Sequence, residues 1–474
     1  MRSIGSNLKP SLQGLNESRN LSRRRLHSHI DLKVINRFVP KRLSSKLRHR
    51  AFGIEAMEMD DESWDDINAA VQYVFSSSEG EDSDGDVLQP ITDDSITSPT
   101  KLARPPNTNK TIYGVLNNIG VMSFSIALLS IMDLCAWRII RLPLPPLYLL
   151  RPFLTSLLVV SCAGYICVPL LRSLKLRAII RRGPAHHYSK KGTPTSAGLY
   201  FIPLGILVAE FIVGFSSTEV SAVSVITLSF AAIGLLDDIL RIKVNKYGLS
   251  AGTRIFLEVA MGTLFSFWMN AANISSPYSM KTVVPLPKPF GLVCLGKMYP
   301  LLTTICFVFL ANGVEFTDGL DGLAGGTAAL VFVGMSIAVL PICSDLAVFG
   351  TSMAGACIGF LMHNRYKASV FMGNTGALAI AGALAAMASC TGMFFPLYVS
   401  SGIFLFEALS VVMQIYCFKI TKQMWGKGRH LFRIAPVHRH LELAGLKEPL
   451  IVASAYIVSS ALVLCAGYVA LISV

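Results

Sequence analysis

Residues 220–241 read VSAVSVITLSFAAIGLLDDILR: seventeen positions without a charge, then Asp237 and Asp238 side by side, then Arg241 one turn later. A membrane helix needs ~20 predominantly apolar residues to span a hydrocarbon layer of ~30 Å, so this run reads as a crossing that ends on two carboxylates. Neighbouring acids repel when both ionise. Gathering them at the end of an apolar helix calls for a bound divalent cation, a cationic partner or protonation of one of them. A helix-end pair held by Arg241 and Arg254 is the plainer alternative.

Ten similar runs surround this one, at about 115–137, 152–171, 197–215, 253–271, 299–314, 323–341, 345–362, 370–389, 392–416 and 449–472. Together they predict an all-α fold, a polytopic membrane helical bundle. Composition agrees: of 474 residues 52% are hydrophobic and 15% charged, and mean hydropathy is +0.54. A water-soluble fold is excluded. The ten Cys form no C-x-x-C pair and lie mostly in apolar runs, so they read as small buried hydrophobes rather than zinc ligands or a disulfide framework.

Charge is unevenly spread. Residues 1–50 hold thirteen Lys and Arg, eight Ser and two acids, a composition resembling an organellar transit peptide. Residues 51–111 are expected to be a disordered acidic segment, with fourteen acids between Glu55 and Asp94 and no base among them. Thirteen acids remain in residues 101–474, so each needs a reason. Among the loops between spans, one alternate set (172–196, 241–254, 312–322, 363–369, 417–448) carries twenty bases and the other six. The positive-inside rule puts the first set on the cytoplasm-equivalent side. Asp237, Asp238, Asp318, Asp321, His438 and His440 all fall on that side. Acids in or near spans are costly and mark functional sites by default.

Four further motifs lie on this face. Lys190-Lys191-Gly192-Thr193-Pro194-Thr195 brings cations to a helix entrance, an arrangement suited to phosphate or simply to a capped helix start. Asn312-Gly-Val-Glu315-Phe-Thr-Asp318-Gly-Leu-Asp321-Gly sets two aspartates among glycines that allow close backbone approach, a polar pocket for hydroxyls, a nucleobase or a metal. Phe371-Met-Gly-Asn374 opens a span with an aromatic that is either a stacking platform or part of the core. Pro436-Val-His438-Arg439-His440-Leu-Glu442 offers phosphate recognition, proton transfer or an amphipathic interfacial segment; zinc lacks an evident third ligand.

In order and in wording, these five motifs resemble bacterial phospho-N-acetylmuramoyl-pentapeptide transferases, over about Pro152 to the C-terminus. The resemblance implies a ten-span core over 152–474; the apolar run within 112–151 lies outside it and reads as an extra N-terminal span. It implies attack of a polyprenyl phosphate on the β-phosphate of UDP-N-acetylmuramoyl-pentapeptide, releasing UMP and leaving lipid I, with Mg²⁺ as cofactor. By carry-over Asp237, Asp238, His438 and His440 are catalytic. Lys190, Thr195, Arg241, Asn312, Asp318, Asp321, Phe371 and Arg439 bind substrate, and Asp237 and Asn374 hold the metal. The chain departs from the family at three places: Asn374 stands where the family usually has Asp, Arg439 interrupts three consecutive His, and Glu315 stands where Asn is usual.

The expected partners are the nucleotide-sugar, polyprenyl phosphate and the bilayer, with no nucleic acid; a homodimer is left open. Peptidoglycan synthesis points to a plastid inner envelope with the site facing the stroma. The competing readings are transfer of N-acetylglucosamine 1-phosphate from UDP-GlcNAc to a polyprenyl phosphate, and an inactive or transport-like membrane descendant.

Overall fold

The computed structural model describes residues 108–136, 145–176, 190, 192–244, 248–271, 283–287 and 291–473. The basic leader, most of the acidic segment, and Arg181 to Ser189 with Lys191 lie outside the described residues. Thirteen helices follow in order: α1 (Thr108–Cys135), α2 (Leu150–Ser173), α3 (Gly198–Val213), α4 (Thr218–Lys243), α5 (Ala251–Ala271), α6 (Tyr299–Thr317), α7 (Leu323–Val339), α8 (Ser344–Asn364), α9 (Gly373–Thr391), α10 (Phe394–Ser400), α11 (Gly402–Trp425), α12 (Val437–Leu443) and α13 (Glu448–Ser473). Between α5 and α6 an antiparallel hairpin pairs β1 (Val283–Pro285) with β2 (Leu292–Cys294).

Each expected apolar run coincides with a helix, apart from the one at 392–416. Eight helices (α1, α2, α4, α6, α8, α9, α11 and α13) are long and apolar enough to cross a bilayer. Helices α3 and α7 are apolar but shorter, and α5, at 21 residues, carries buried Arg254 and Glu258. The run expected at 392–416 is broken: Gly392 ends α9 with φ +78°, α10 is a short piece, and the chain restarts at Gly402. From there α11 continues to Trp425, past the expected boundary. Its Lys and Gln residues lower hydropathy but are good helix formers, and the helix stops only at Gly426, φ +73°. Helix α1 starts at Thr108, inside the segment expected to be disordered up to residue 111.

Helix α9 is the axis of the bundle, buried along its whole length. Its sequence GNTGALAIAGALAAMASCT is mostly small residues, which let neighbouring backbones approach closely where lipid offers no hydrophobic drive between helices. A Cβ on Gly234 of α4 would lie 2.1 Å from the Asn374 carbonyl oxygen, and one on Gly198 of α3 would lie 2.4 Å from the Gly376 nitrogen. These two glycines seat α3 and α4 against the first turn of α9, where the polar motifs converge.

Two other scarce acids have structural work. The Asp133 carboxylate accepts from the Leu149 and Leu150 amides at the start of α2 (2.9 and 3.0 Å), and Glu210 accepts from Ser224 Oγ at 2.9 Å. Both oxygens of Asp133 are thereby satisfied, whereas Glu210 is satisfied on Oε1 only.

Replacing Gly234 by Ala is expected to lower the thermal midpoint in detergent, the cost of overpacking being about 1–3 kcal/mol. Gly120→Ala, where the added atom meets nothing within 4 Å, should leave it unchanged. Equal midpoints for the two variants would contradict the close seating of α4 on α9.

Candidate active site

Asp237 and Asp238 are consecutive on a helix, so their side chains diverge by about 100°. Asp238 turns to α9. Its Oδ1 accepts from the Asn374 amide (3.1 Å), and its Oδ2 accepts from the Thr375 amide (3.1 Å), Thr375 Oγ1 (2.7 Å) and Ser196 Oγ (2.9 Å). A carboxylate at a helix N-terminus faces unsatisfied N–H groups and the positive end of the helix dipole. Gly373, φ +73°, makes the approach possible, since a Cβ there would lie 2.7 Å from Asp238 Oδ2.

Asp237 turns the other way and is fully buried. Arg241 donates to its Oδ2 at 2.8 Å and the Leu249 amide to its Oδ1 at 2.6 Å. The Asn374 side-chain amide also donates to Oδ2. The same amide nitrogen donates to Glu315 Oε1 at 3.0 Å, and Glu315 is ion-paired with Arg254 of α5. A chain of contacts therefore runs Arg241, Asp237, Asn374, Glu315, Arg254 across α4, α9, α6 and α5. Asn312 lies at its outer end: its Nδ2 donates to Glu258 Oε2 (3.0 Å) and to the Val308 carbonyl (2.8 Å). Asn312, expected to contact substrate, thus has its side-chain nitrogen on a buried carboxylate.

Asp318 caps the end of α6. Burial, and then the carboxylates of Asp238, Glu315 and Asp321, push its carboxyl up to about 7. Negative charge is crowded here. The adjacent turn holds Asp321 in a second cluster, where Lys190 Nζ lies 3.0 Å from Asp321 and 2.7 Å from Glu448. Burial works against the Lys190 charge, but Asp321 and Glu448 outweigh it and hold the ammonium above its ordinary range.

Backbone pairing joins the phosphate-type loop to the start of α9. The Phe371 amide donates to the Pro194 carbonyl (2.8 Å), and the Ala197 amide to the Phe371 carbonyl (3.1 Å). This brings buried Thr195 and half-buried Phe371 beside the Asp238 knot.

The two histidines separate. Two positions apart on α12, they face different ways. His438 is buried, with Nδ1 3.4 Å from Glu407 Oε2 and its ring against Gly319, where a Cβ would lie 2.2 Å from Nε2. His440 is partly exposed, packs edge-on against Phe432 and accepts from the Arg433 amide at 3.3 Å. His438 alone reaches the aspartate turn. Burial lowers the Arg439 guanidinium against the pull of Glu442 and Glu407. Among the described residues no three His, Cys, Asp or Glu are grouped so as to hold a metal ion by themselves.

The profile of Glycosyl transferase family 4 matches residues 220–392, from α4 through the end of α9. The phospho-N-acetylmuramoyl-pentapeptide-transferase of Microcystis aeruginosa is 41% identical over 323 residues, covering 67% of this chain and 88% of the relative. The enzyme of that name from a Nostoc species is 41% identical over 364 residues, 75% of this chain and 95% of its own. The one from Trichormus variabilis is 41% identical over 368 residues, 76% and 97%. The chain belongs to the phospho-N-acetylmuramoyl-pentapeptide-transferase family. It is a membrane transferase of that family, and matches of 364 and 368 residues extend ahead of Pro152, where the motif resemblance begins.

Several residues of this cluster escape the motifs. Ser196 and Thr375 hold Asp238, Glu407 holds His438, and Glu448 shares Lys190. Of the acids among them Glu407 carries a readable signal, as does Glu258 beside Asn312: each sits inside an apolar run where a charge needs a partner. Ser and Thr carry none, being common in membrane helices. Asp238→Asn is expected to lower the thermal midpoint markedly, because an amide places an N–H₂ against donors, and charge-assisted bonds are worth about 1.5–3 kcal/mol each. An unchanged midpoint would contradict the knot.

Proposed function

We propose that this protein transfers phospho-N-acetylmuramoyl-pentapeptide from UDP-N-acetylmuramoyl-pentapeptide to a polyprenyl phosphate, giving lipid I and UMP. The observation that carries the reading is the meeting of Asp237, Asp238, Asp318 and Asn374 at one end of an apolar bundle. One substrate is water-borne and polyanionic and the other is anchored in lipid, so their reaction needs cations and carboxylates where the two phases touch. Positioning and charge neutralisation supply most of the rate in phosphoryl transfer.

In this reading an oxygen of the lipid phosphate attacks the β-phosphorus, and the bond from that phosphorus to the bridging oxygen of UMP breaks. Asp237, oriented by Arg241 and the Leu249 amide, assists deprotonation of the lipid phosphate. Asp238 anchors the first turn of α9 and so fixes Asn374 against Asp237. Lys190, Thr195, Arg241, Asp321, Phe371 and Arg439 bind nucleotide and phosphates, and His438, held by Glu407, lies beside the Asp318 turn. Lys190 is already paired with two carboxylates, so it serves a phosphate by sharing its charge.

The donor set fits Mg²⁺. Hard oxygens of Asp237 and Asn374 are at hand, and buried Glu315 Oε2 has no hydrogen-bond partner. Mg²⁺ takes one or two carboxylates and completes its shell with waters and phosphate oxygens, so no larger protein cage is required. When bound, the ion supplies neutralisation of the diphosphate charge.

The basic, Ser-rich leader and the cyanobacterial relatives support a plastid envelope location, with residues 1–50 removed as a transit peptide and the site facing the stroma. Purified full-length protein in detergent with Mg²⁺ is expected to release UMP from UDP-N-acetylmuramoyl-pentapeptide only when polyprenyl phosphate is present. Asp237→Asn should abolish this release. Release from UDP-GlcNAc instead would move the assignment to N-acetylglucosamine 1-phosphate transfer, and no release above the variant's background would reject catalysis.

A further inference from the structure

Glu315 has no role in the reaction steps just described, yet it sits at the centre of the contact chain. Its side chain is only 9% exposed. Oε1 accepts from Arg254 and from the Asn374 amide, while Oε2 is buried without a hydrogen-bond partner. An unpaired buried carboxylate oxygen is costly, more so than a neutral acceptor; Glu210 and Glu258 also have one, but Glu315 is the one of these three hydrogen-bonded to Asn374 beside Asp237.

The neighbour that Glu315 shares is also informative. The Asn374 amide nitrogen has two hydrogens, and each goes to a different carboxylate, one on Asp237 of α4 and one on Glu315 of α6. An N–H₂ group carries partial positive charge and occupies the space between two anions from separate helices. Each anion has its own arginine on the outer side, Arg241 and Arg254. The arrangement is that of a cation position between two fixed carboxylates, bridged by an amide that could turn over and offer its oxygen.

We propose that Glu315 is a divalent-cation ligand of this chain, paired with Asp237 across Asn374, and that Arg254 orients it for that role. This rests on the proposed Mg²⁺ reading and deepens it: the site's second negative charge comes from α6 and not from α9. The neutral residue at 374 follows physically, because a third carboxylate there would be in contact with two others.

Mn²⁺ binding, followed by electron paramagnetic resonance on full-length protein in detergent without substrates, tests the assignment. Asp237→Asn serves as the reference. Wild type is expected to bind Mn²⁺, and both Asp237→Asn and Glu315→Gln to weaken it tenfold or more. The double exchange Glu315→Gln with Asn374→Asp, which moves one charge across the 3.0 Å contact, should restore affinity to within about threefold of wild type, far less than the tenfold that corresponds to 1.4 kcal/mol. Recovery in the exchange variant also separates lost ligation from lost folding. Loss in Asp237→Asn with wild-type affinity in Glu315→Gln would overturn the Glu315 proposal alone, as would failure of the exchange to restore binding. Equal affinity in wild type and Asp237→Asn would overturn the metal reading beneath it.

Discussion

Ionised carboxylates cannot be left bare at the end of an apolar helix, and the architecture of this protein follows from how that constraint is met. Removing a carboxylate from water carries an effective penalty of several kcal/mol even after relaxation. Four hydrogen bonds to Asp238, at about 1.5–3 kcal/mol for bonds to charged groups, are of the same order. They come from α9's first turn and from Ser196, two residues before α3. Meeting the charge of Asp238 therefore fixes where three helices begin or end relative to one another.

The same requirement spreads outward. Asp237, Glu315 and Glu258 are each buried or nearly so, and each is met by Arg241, Arg254, Asn374 or Asn312. Lys190 is met by Asp321 and Glu448, drawing α13 toward the aspartate turn. The apolar body behind these groups is built from small side chains, so helices approach closely enough for short polar residues to touch. Rigid packing and a dense charged face are thus one design: the glycines of α3 and α4 set the backbone distances, and those distances set the hydrogen bonds. A face so arranged suits a reaction between an anionic solute and a lipid-held phosphate.

Much of this was legible in residue order. Hydropathy located every membrane-length helix that carries the site, though not the short α12, because apolar runs near membrane length have few alternative folds. The bias of Lys and Arg among loops put Asp237, Asp318 and His438 at one end, as the bundle has them. Three features were not legible. The break at Ser401 falls at Ser400-Ser401-Gly402, small residues that membrane helices also tolerate, so only tertiary packing decides it. The parting of His438 from His440 depends on α12 being helical, whereas a basic loop leaves both free to point together. The partner of Asn312 is Glu258, 54 residues away, and no local pattern encodes that pairing. Glu315 was visible as an odd residue, but its meaning needed the distance to Asn374.

The proposed chemistry requires the acids and their cations to share one water-facing end of the bundle. Single cysteines placed in a cysteine-free background at exposed Lys243, Lys447, Phe215 and Lys297, and labelled with an impermeant maleimide on sealed vesicles of known orientation, measure this directly. Lys243 and Lys447 positions should react from one side, and Phe215 and Lys297 positions from the other. Labelling of Lys243 and Lys447 from opposite sides would contradict it.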